Sequence, residues 1–296
     1  MSYLTKDQPA AASGELKLGG DLPVRRLGFG AMRITGEGIW GEPKDRPEAL
    51  RVVKRALDLG VNLIDTADAY GPNISEQLIA EALYLYPPEL VIATKGGLLR
   101  GGPGNWYPDG RPEHLREALD GSLKRLKLER IDLYQFHRPD PKVPFEDSVG
   151  TLAELQKAGK IRFIGLSNVT VEQLRKALSI TQIVSVQNRY NLADRASEDV
   201  LEACERDSIA FIPWFPLATG ELAKEGSKLD SIARKYRAAP GQVALAWLLK
   251  RSPVMLPIPG TSSVKHLEEN MQAAYISLTD EDFETISVLK EPSSTN

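Results

Sequence analysis

The stretch RPEALRVVKRALDLGVNLIDTA, residues 46–67, decides the fold because its period changes halfway along. In the first half Ala49, Leu50, Val53, Ala56 and Leu57 recur three or four residues apart, which places them on one face of a helix. Pro47 near the start and Gly60 at the end supply the usual start and stop chemistry. The second half, VNLIDTA (61–67), is of strand length, and its apolar run ends on the carboxylate of Asp65. Strands that are apolar throughout and joined by helical crossovers belong to a parallel sheet covered on both faces.

The same alternation runs through the chain. The strand-like runs are LGFGAM (27–32), VNLIDTA (61–67), LVIATK (90–95), IDLYQFH (131–137), IRFIGLS (161–167), QIVSVQ (182–187), IAFIPWF (209–215) and VMLPIP (254–259). Eight such units in ~260 residues match one (β/α)₈ TIM barrel of the α/β class. A doubly wound sheet would have fewer strands and a glycine fingerprint after the first. Here Gly28 and Gly30 lead into Met32 and Arg33 with no third glycine. GELKLGGDLPVRRLG (14–28) reads as a β-hairpin around GGD that closes the N-terminal end of the barrel. No interior linker or repeat divides the chain, so residues 1–296 are expected to form one domain with its core at 16–285; only EPSSTN (291–296) reads as a disordered tail.

Composition narrows the function. With 296 residues, 42% of them hydrophobic, the chain can bury a large core. The net charge of −3 comes from interleaved acids and bases, which argues against a nucleic-acid partner. Cys204 is the only cysteine, so no intramolecular disulfide forms and a reducing compartment suits the chain. No signal-like N-terminus and no run of eighteen apolar residues is present, so the expectation is a cytoplasmic protein without a membrane partner.

In a barrel of this kind chemistry gathers at the carboxyl ends of the strands. Asp65 ends the second run, Lys95 the third and His137 the fourth; Ser167 and Asn168 close the fifth and Gln187 the sixth. Tyr70 follows in the loop after the second. Singly, each is more often a cap, a solvated lysine or a structural histidine. Together they form a coherent acid: an ammonium at Lys95 lowers the pKa of a phenol at Tyr70, Asp65 keeps the buried lysine charged, and His137 orients a carbonyl oxygen. None of these groups supplies a hydride, so reduction requires a nicotinamide. Ser167, Asn168 and Gln187 can bond its carboxamide and Trp214 offers a flat face. The loop WFPLATGEL (214–222), with Pro216 and Leu217, and the stretch PIPGTSSVKHLEEN (257–270) follow strands seven and eight, where barrels commonly bind phosphate.

From about residue 16 to 285 the chain resembles an aldo-keto reductase, in GVNLIDTADAYG, VIATKGG, LYQFHRPD, GKIRFIGLSN, VQNRYN and IPGTSSVKHLEEN. The resemblance implies that Asp65, Tyr70, Lys95 and His137 form the family's catalytic tetrad, with Tyr70 the general acid in NADPH-dependent reduction of aldehydes and ketones to alcohols. It implies carboxamide contacts from Ser167, Asn168 and Gln187, and puts Trp214 where relatives often stack a tyrosine. Many members place a lysine and an arginine around the 2′-phosphate of NADP; this chain has Gly260 and His266 there. The charge falls to Lys265 and a protonated His266, helped by Thr261, Ser262 and Ser263, with Asn270 near the adenine and Glu269 completing the set.

Trp40, Trp106 and Tyr107 are the expected walls of a pocket for a small-molecule carbonyl substrate. Gly96, Gly97, Gly101, Gly102 and Gly104 make the loop around Trp106 either a mobile lid or a plain surface turn. The layout is most similar to small bacterial members of the pyridoxal-reductase type, which points to pyridoxal or another aromatic or small aldehyde. The alternative is a nicotinamide-sensing regulatory module like the potassium-channel beta subunits. A metal-dependent barrel enzyme is disfavoured because His114 and His266 lie on helix-like stretches. Oligomeric state is undetermined, and many proteins of this architecture are monomers.

Overall fold

The computed structural model describes residues 8–217 and 226–289; the tail EPSSTN and residues 218–222 of the loop after the seventh strand lie outside these. The unit read from residues 46–67 sets the pattern. The Asp45 carboxylate accepts from the Glu48 amide and caps α1 (Arg46–Asp58), with Pro47 in the first turn. Gly60, at φ +86°, turns the chain toward the next strand in a conformation that L side chains avoid. Val52, Val53, Ala49 and Ala56 are buried against β4 (Leu63–Asp65) and its neighbours.

Seven parallel strands follow this logic: β3 (Phe29–Gly30), β4, β5 (Val91–Gly96), β8 (Ile131–Phe136), β9 (Ile161–Ser167), β10 (Ile183–Arg189) and β11 (Ala210–Trp214), hydrogen-bonded in that spatial order. The crossover helices are α1, α2 (Ile74–Leu83), α3 (Pro112–Leu126), α4 (Phe145–Lys157), α5 (Val171–Leu178) and α6 (Glu198–Asp207). After β11 come α7 (Lys228–Lys235) and α8 (Pro240–Arg251), and the last helices among the described residues are α9 (Val264–Met271) and α10 (Asp280–Ser287).

The eighth position departs from the sequence expectation. Residues 254–259 are not a regular strand, yet they close the barrel. The Phe211 amide donates to the Val254 carbonyl and the Leu256 amide returns to the Phe211 carbonyl. On the other side the Gly28 and Gly30 amides donate to the carbonyls of Pro257 and Pro259. Pro257 and Pro259 have no N–H to give back, so this edge is one-directional and falls short of a ladder. Gly30 and Gly260 allow the close approach: a Cβ on Gly260 would stand 2.5 Å from the Gly30 carbonyl oxygen. The first strand is also shorter than expected, since residues 31–34 fold into a 3₁₀ turn.

The hairpin of β1 (Glu15–Leu18) and β2 (Leu22–Arg25) sits under the barrel, where Leu18 and Val24 pack with the interior residues Leu63, Val91, Leu133, Phe163, Val184 and Leu256. Above this apolar floor Ala93, Ala210, Ile212 and Ile258 continue the lining. Above that the inward residues become polar. The glycine-rich loop after β5 is a regular element and not a loose turn: β6 (Leu98–Gly102) and β7 (Asn105–Pro108) form an antiparallel hairpin. Among the described residues no helix is long and apolar enough to cross a membrane.

Candidate active site

Strand register decides which side chains meet. Asp65 is paired with Ala93, and Lys95, one inward step further along β5, with Gln135 of β8. A side chain points inward at every second residue, so Asp65, Lys95, Gln135 and His137 converge above the apolar floor. Lys95 is wholly buried, and its Nζ donates to Asp65 Oδ1 (2.5 Å), the Thr66 carbonyl (2.8 Å) and Tyr70 Oη (3.3 Å). Those three bonds use all the donors of an ammonium. Thr66 Oγ1 donates to Ser75 Oγ, which donates to the Ala31 carbonyl; this buried chain fixes the loop that carries Tyr70. The Tyr70 ring stands edge-on to His137 at 5.8 Å and to Trp106 at 6.4 Å between centroids.

Burial works against the Lys95 ammonium, but Asp65 and Tyr70 outweigh it, so its pKa lies above the ordinary lysine value and the charge stays. For Tyr70 the sequence expectation of a lowered pKa needs correction. Burial raises it more than Lys95 lowers it, Asp65 and Asp68 add to the rise, and the phenol keeps its proton above its ordinary range. His137 is pushed well below the usual histidine value by burial first, then by Lys95 and Arg138. It is a neutral imidazole with Nδ1 buried and unpartnered.

One residue escaped the sequence reading. Gln135 Nε2 donates to Asp65 Oδ2 at 2.8 Å, and Gln187 Nε2 donates to the same oxygen at 2.9 Å and to Gln135 Oε1 at 3.3 Å. A carboxylate only accepts, which fixes the orientation of both amides. The signal was present: a glutamine interrupts the apolar run IDLYQFH two residues before His137, on the same face. Gly165, paired with Gln135, leaves the amide its space, because a Cβ there would stand 2.9 Å from Gln135 Cγ.

These groups open on a cavity of about 410 Å³ that Asp65, Tyr70 and His137 line directly, with Lys95 behind them. The far wall holds Ser167, Asn168, Gln187 and Trp214, then Pro216 and Leu217, with Gly260 at the seam. Asn168 takes the left-handed conformation (φ +58°), and its amide is committed: Oδ1 accepts from Trp214 Nε1 at 3.1 Å, and Nδ2 donates to the His137 carbonyl and to Ser167 Oγ. Asn168 therefore fixes the indole and the start of the loop. Ser167 and Gln187 are register partners, which sets an uncommitted hydroxyl proton beside the free acceptor Oε1 of Gln187.

Of the expected pocket aromatics, Trp106 lines the cavity. Trp40 and Tyr107 stand outside that lining, both exposed. Tyr107 follows Trp106 in an extended strand and so faces the other side of the hairpin. Trp40 acts at one remove. Arg100 lies over the rings of Trp106 (3.5 Å) and Trp40 (5.5 Å) and donates to the carbonyls of Ile39, Ala69, Gly38 and Gly102.

Of the stretch expected to hold the adenosine end, Gly260 lines the cavity, whereas residues 261–270, leading into and along α9, lie beyond its lining. Lys265 is exposed and 3.9 Å from Glu269, His266 is exposed, and Asn270 is buried. Thr261 Oγ1 accepts from the Ser263 amide; Ser262 is exposed and Ser263 half-buried. The Val264 amide is occupied by Glu48 of α1, whose carboxylate it holds below the usual range. A phosphate at this helix start meets that carboxylate as a competitor.

Residues 26–291 match the model described as Aldo/keto reductase family. An uncharacterized oxidoreductase of Schizosaccharomyces pombe is 53% identical over 93% of this chain and 89% of its own. Pyridoxine 4-dehydrogenase of Escherichia coli is 45% identical, covering 90% of this chain and 95% of its own. Among solved structures, an aldo/keto reductase from Klebsiella pneumoniae in complex with NADP and acetate superposes with a TM-score of 0.79 at 26% identity, covering 92% of this chain and 93% of that one.

Proposed function

Because the chain belongs to the aldo/keto reductase family and is an oxidoreductase with NADPH/NADP⁺ as its cofactor, we propose that it reduces aldehydes to alcohols with Tyr70 as the proton donor. The observation that carries this is the relay Asp65–Lys95–Tyr70, bonded at 2.5 and 3.3 Å and ending on a protonated phenol at the cavity.

When bound, the reduced nicotinamide supplies the hydride to the carbonyl carbon. Tyr70 Oη gives its proton to the carbonyl oxygen, and the phenolate left behind faces the Lys95 ammonium. Asp65 holds that ammonium in place and keeps it charged. His137, neutral, donates a hydrogen bond to the same oxygen and holds it toward Tyr70. The Ser167 hydroxyl and Gln187 Oε1, donor beside acceptor, match the two-sided polarity of a primary carboxamide, and Trp214 forms the adjoining wall. Thr261, Ser262, Ser263, Lys265, His266, Glu269 and Asn270 would hold the adenosine end. Lys265 and His266 favour NADP over NAD, and the placement of Glu48 limits that preference.

Pyridoxal heads the list of substrates, supported by the 45% identity to a pyridoxine dehydrogenase and by the apolar wall of Trp106 and Leu98. The test is NADPH consumption against pyridoxal, aromatic aldehydes and short aldehydes, with Tyr70→Phe as control. Wild-type turnover should fall by about 10²–10⁴-fold in Tyr70→Phe while NADPH affinity is retained. Equal rates in the two proteins would remove Tyr70 as the acid. Turnover of generic aldehydes but not of pyridoxal would remove only the substrate.

A further inference from the structure

Among the described residues, three charged side chains line the cavity: Arg33, Asp65 and Arg138. Asp65 is neutralised by Lys95 and satisfied by two amides. Arg33 and Arg138 are both exposed, and neither forms a hydrogen bond or ion pair with another described residue. The cavity therefore carries two unspent guanidinium groups.

Their positions differ. Arg33 follows the first barrel strand and lies beside the seam, its Cγ 3.8 Å from where a Gly260 Cβ would stand. That is the end of the mouth where strands seven and eight favour phosphate. Arg138 follows β8, the fourth barrel position, diametrically across the mouth from the eighth. It is adjacent in sequence to His137, and its charge is close enough to help keep that imidazole neutral. Leu98 and Trp106, on the hairpin after the neighbouring strand β5, line the same cavity as an apolar wall.

A carbonyl held by Tyr70 and His137 thus has an aromatic wall to one side and an unpaired guanidinium at the rim, remote from the phosphate end. We propose that Arg138 determines specificity by binding an anionic substituent, carboxylate or phosphate, on a carbonyl substrate with an apolar or aromatic body. The inference rests on the reductase reading and deepens it. Guanidinium recognises both anions through two parallel donors, which an ammonium cannot reproduce.

The experiment compares benzaldehyde, 4-carboxybenzaldehyde, its methyl ester and 4-formylphenyl phosphate with NADPH, in wild type, Arg138→Met and Arg138→Lys. In wild type, kcat/KM for at least one anionic aldehyde should exceed that of the neutral ones by about tenfold or more, mainly through KM, and the gap should shrink with added salt. The two anionic arms show whether carboxylate or phosphate is preferred. In Arg138→Met the charged-to-neutral ratio should fall to about one, and Arg138→Lys should restore part of it. An unchanged ratio in Arg138→Met overturns the inference and leaves the reductase standing. Weakened NADPH binding in Arg138→Met would place the residue on the cofactor and overturn it as well. Absence of turnover on every aldehyde removes the reductase reading and this inference with it.

Discussion

Tyr70 combines a buried, protonated phenol with a neighbouring cation, and the sign of its pKa shift fixes the pH behaviour. Reduction consumes the protonated form, which is lost only as pH rises through the folded pKa, and burial places that above the ordinary tyrosine value. The aldehyde-reduction rate should therefore stay level from neutral pH to about 10, as stopped-flow NADPH oxidation would show. A decline beginning near neutrality would contradict it. Gln135 is the second residue with a distinct role. It touches neither cavity nor substrate, and positions the relay through Asp65. Gln135→Leu should remove a hydrogen bond to a carboxylate, about 1.5–3 kcal/mol, and lower kcat with little effect on aldehyde KM. It should also alter the pH profile, which a purely structural loss would not do. The strand-end residues were legible because each stops an apolar run. Gln135 interrupts an apolar run too, on the face of His137, but its amide acts on another side chain, so the pattern marks its place and not its partner.

At the scale of elements, the crossover helices and their strands followed from period and caps, whereas two segments did not. The eighth strand reads as apolar and β-like, but the hydrogen bonds it offers depend on two prolines, a distinction the apolar pattern cannot express. The loop after β5 is rich in glycine, which signals freedom, yet its Arg100 donates to four carbonyls and lies over two rings, and these six contacts hold it as a hairpin. Those partners lie 31 to 62 positions away for the carbonyls of Ala69 and Gly38, beyond the reach of local reading. Arg100→Ala should release the β6–β7 hairpin and with it Trp106, raising KM for aromatic aldehydes more than for short ones. Hydrogen exchange at residues 98–108 should rise in the same variant. Unchanged protection there would show that the β ladder alone keeps the hairpin in place.

For the molecule as a whole, the barrel and its N-terminal plug were visible in the sequence, because the count of units and the absence of a glycine fingerprint left one architecture. The way the barrel shuts was not visible. Its first and eighth positions meet through two glycine amides and two proline carbonyls, with glycines where backbone meets backbone. Gly30 and Gly260 on the two sides of this join both line the cavity, and so do Trp214 and Leu217 beyond it. A dinucleotide laid along this end of the cavity would touch both lips. Saturating NADPH should raise the melting temperature, by the linkage expected of a ligand that binds only the folded chain, at 100 times its Kd about 2.7 kcal/mol. The protection gained should be greatest at the amides of Gly28, Gly30 and Leu256. A dinucleotide resting on both sides of this join would couple closure of the barrel to occupancy, so the chain's proteolytic lifetime in a cell should rise with the supply of the same dinucleotide that it uses in turnover.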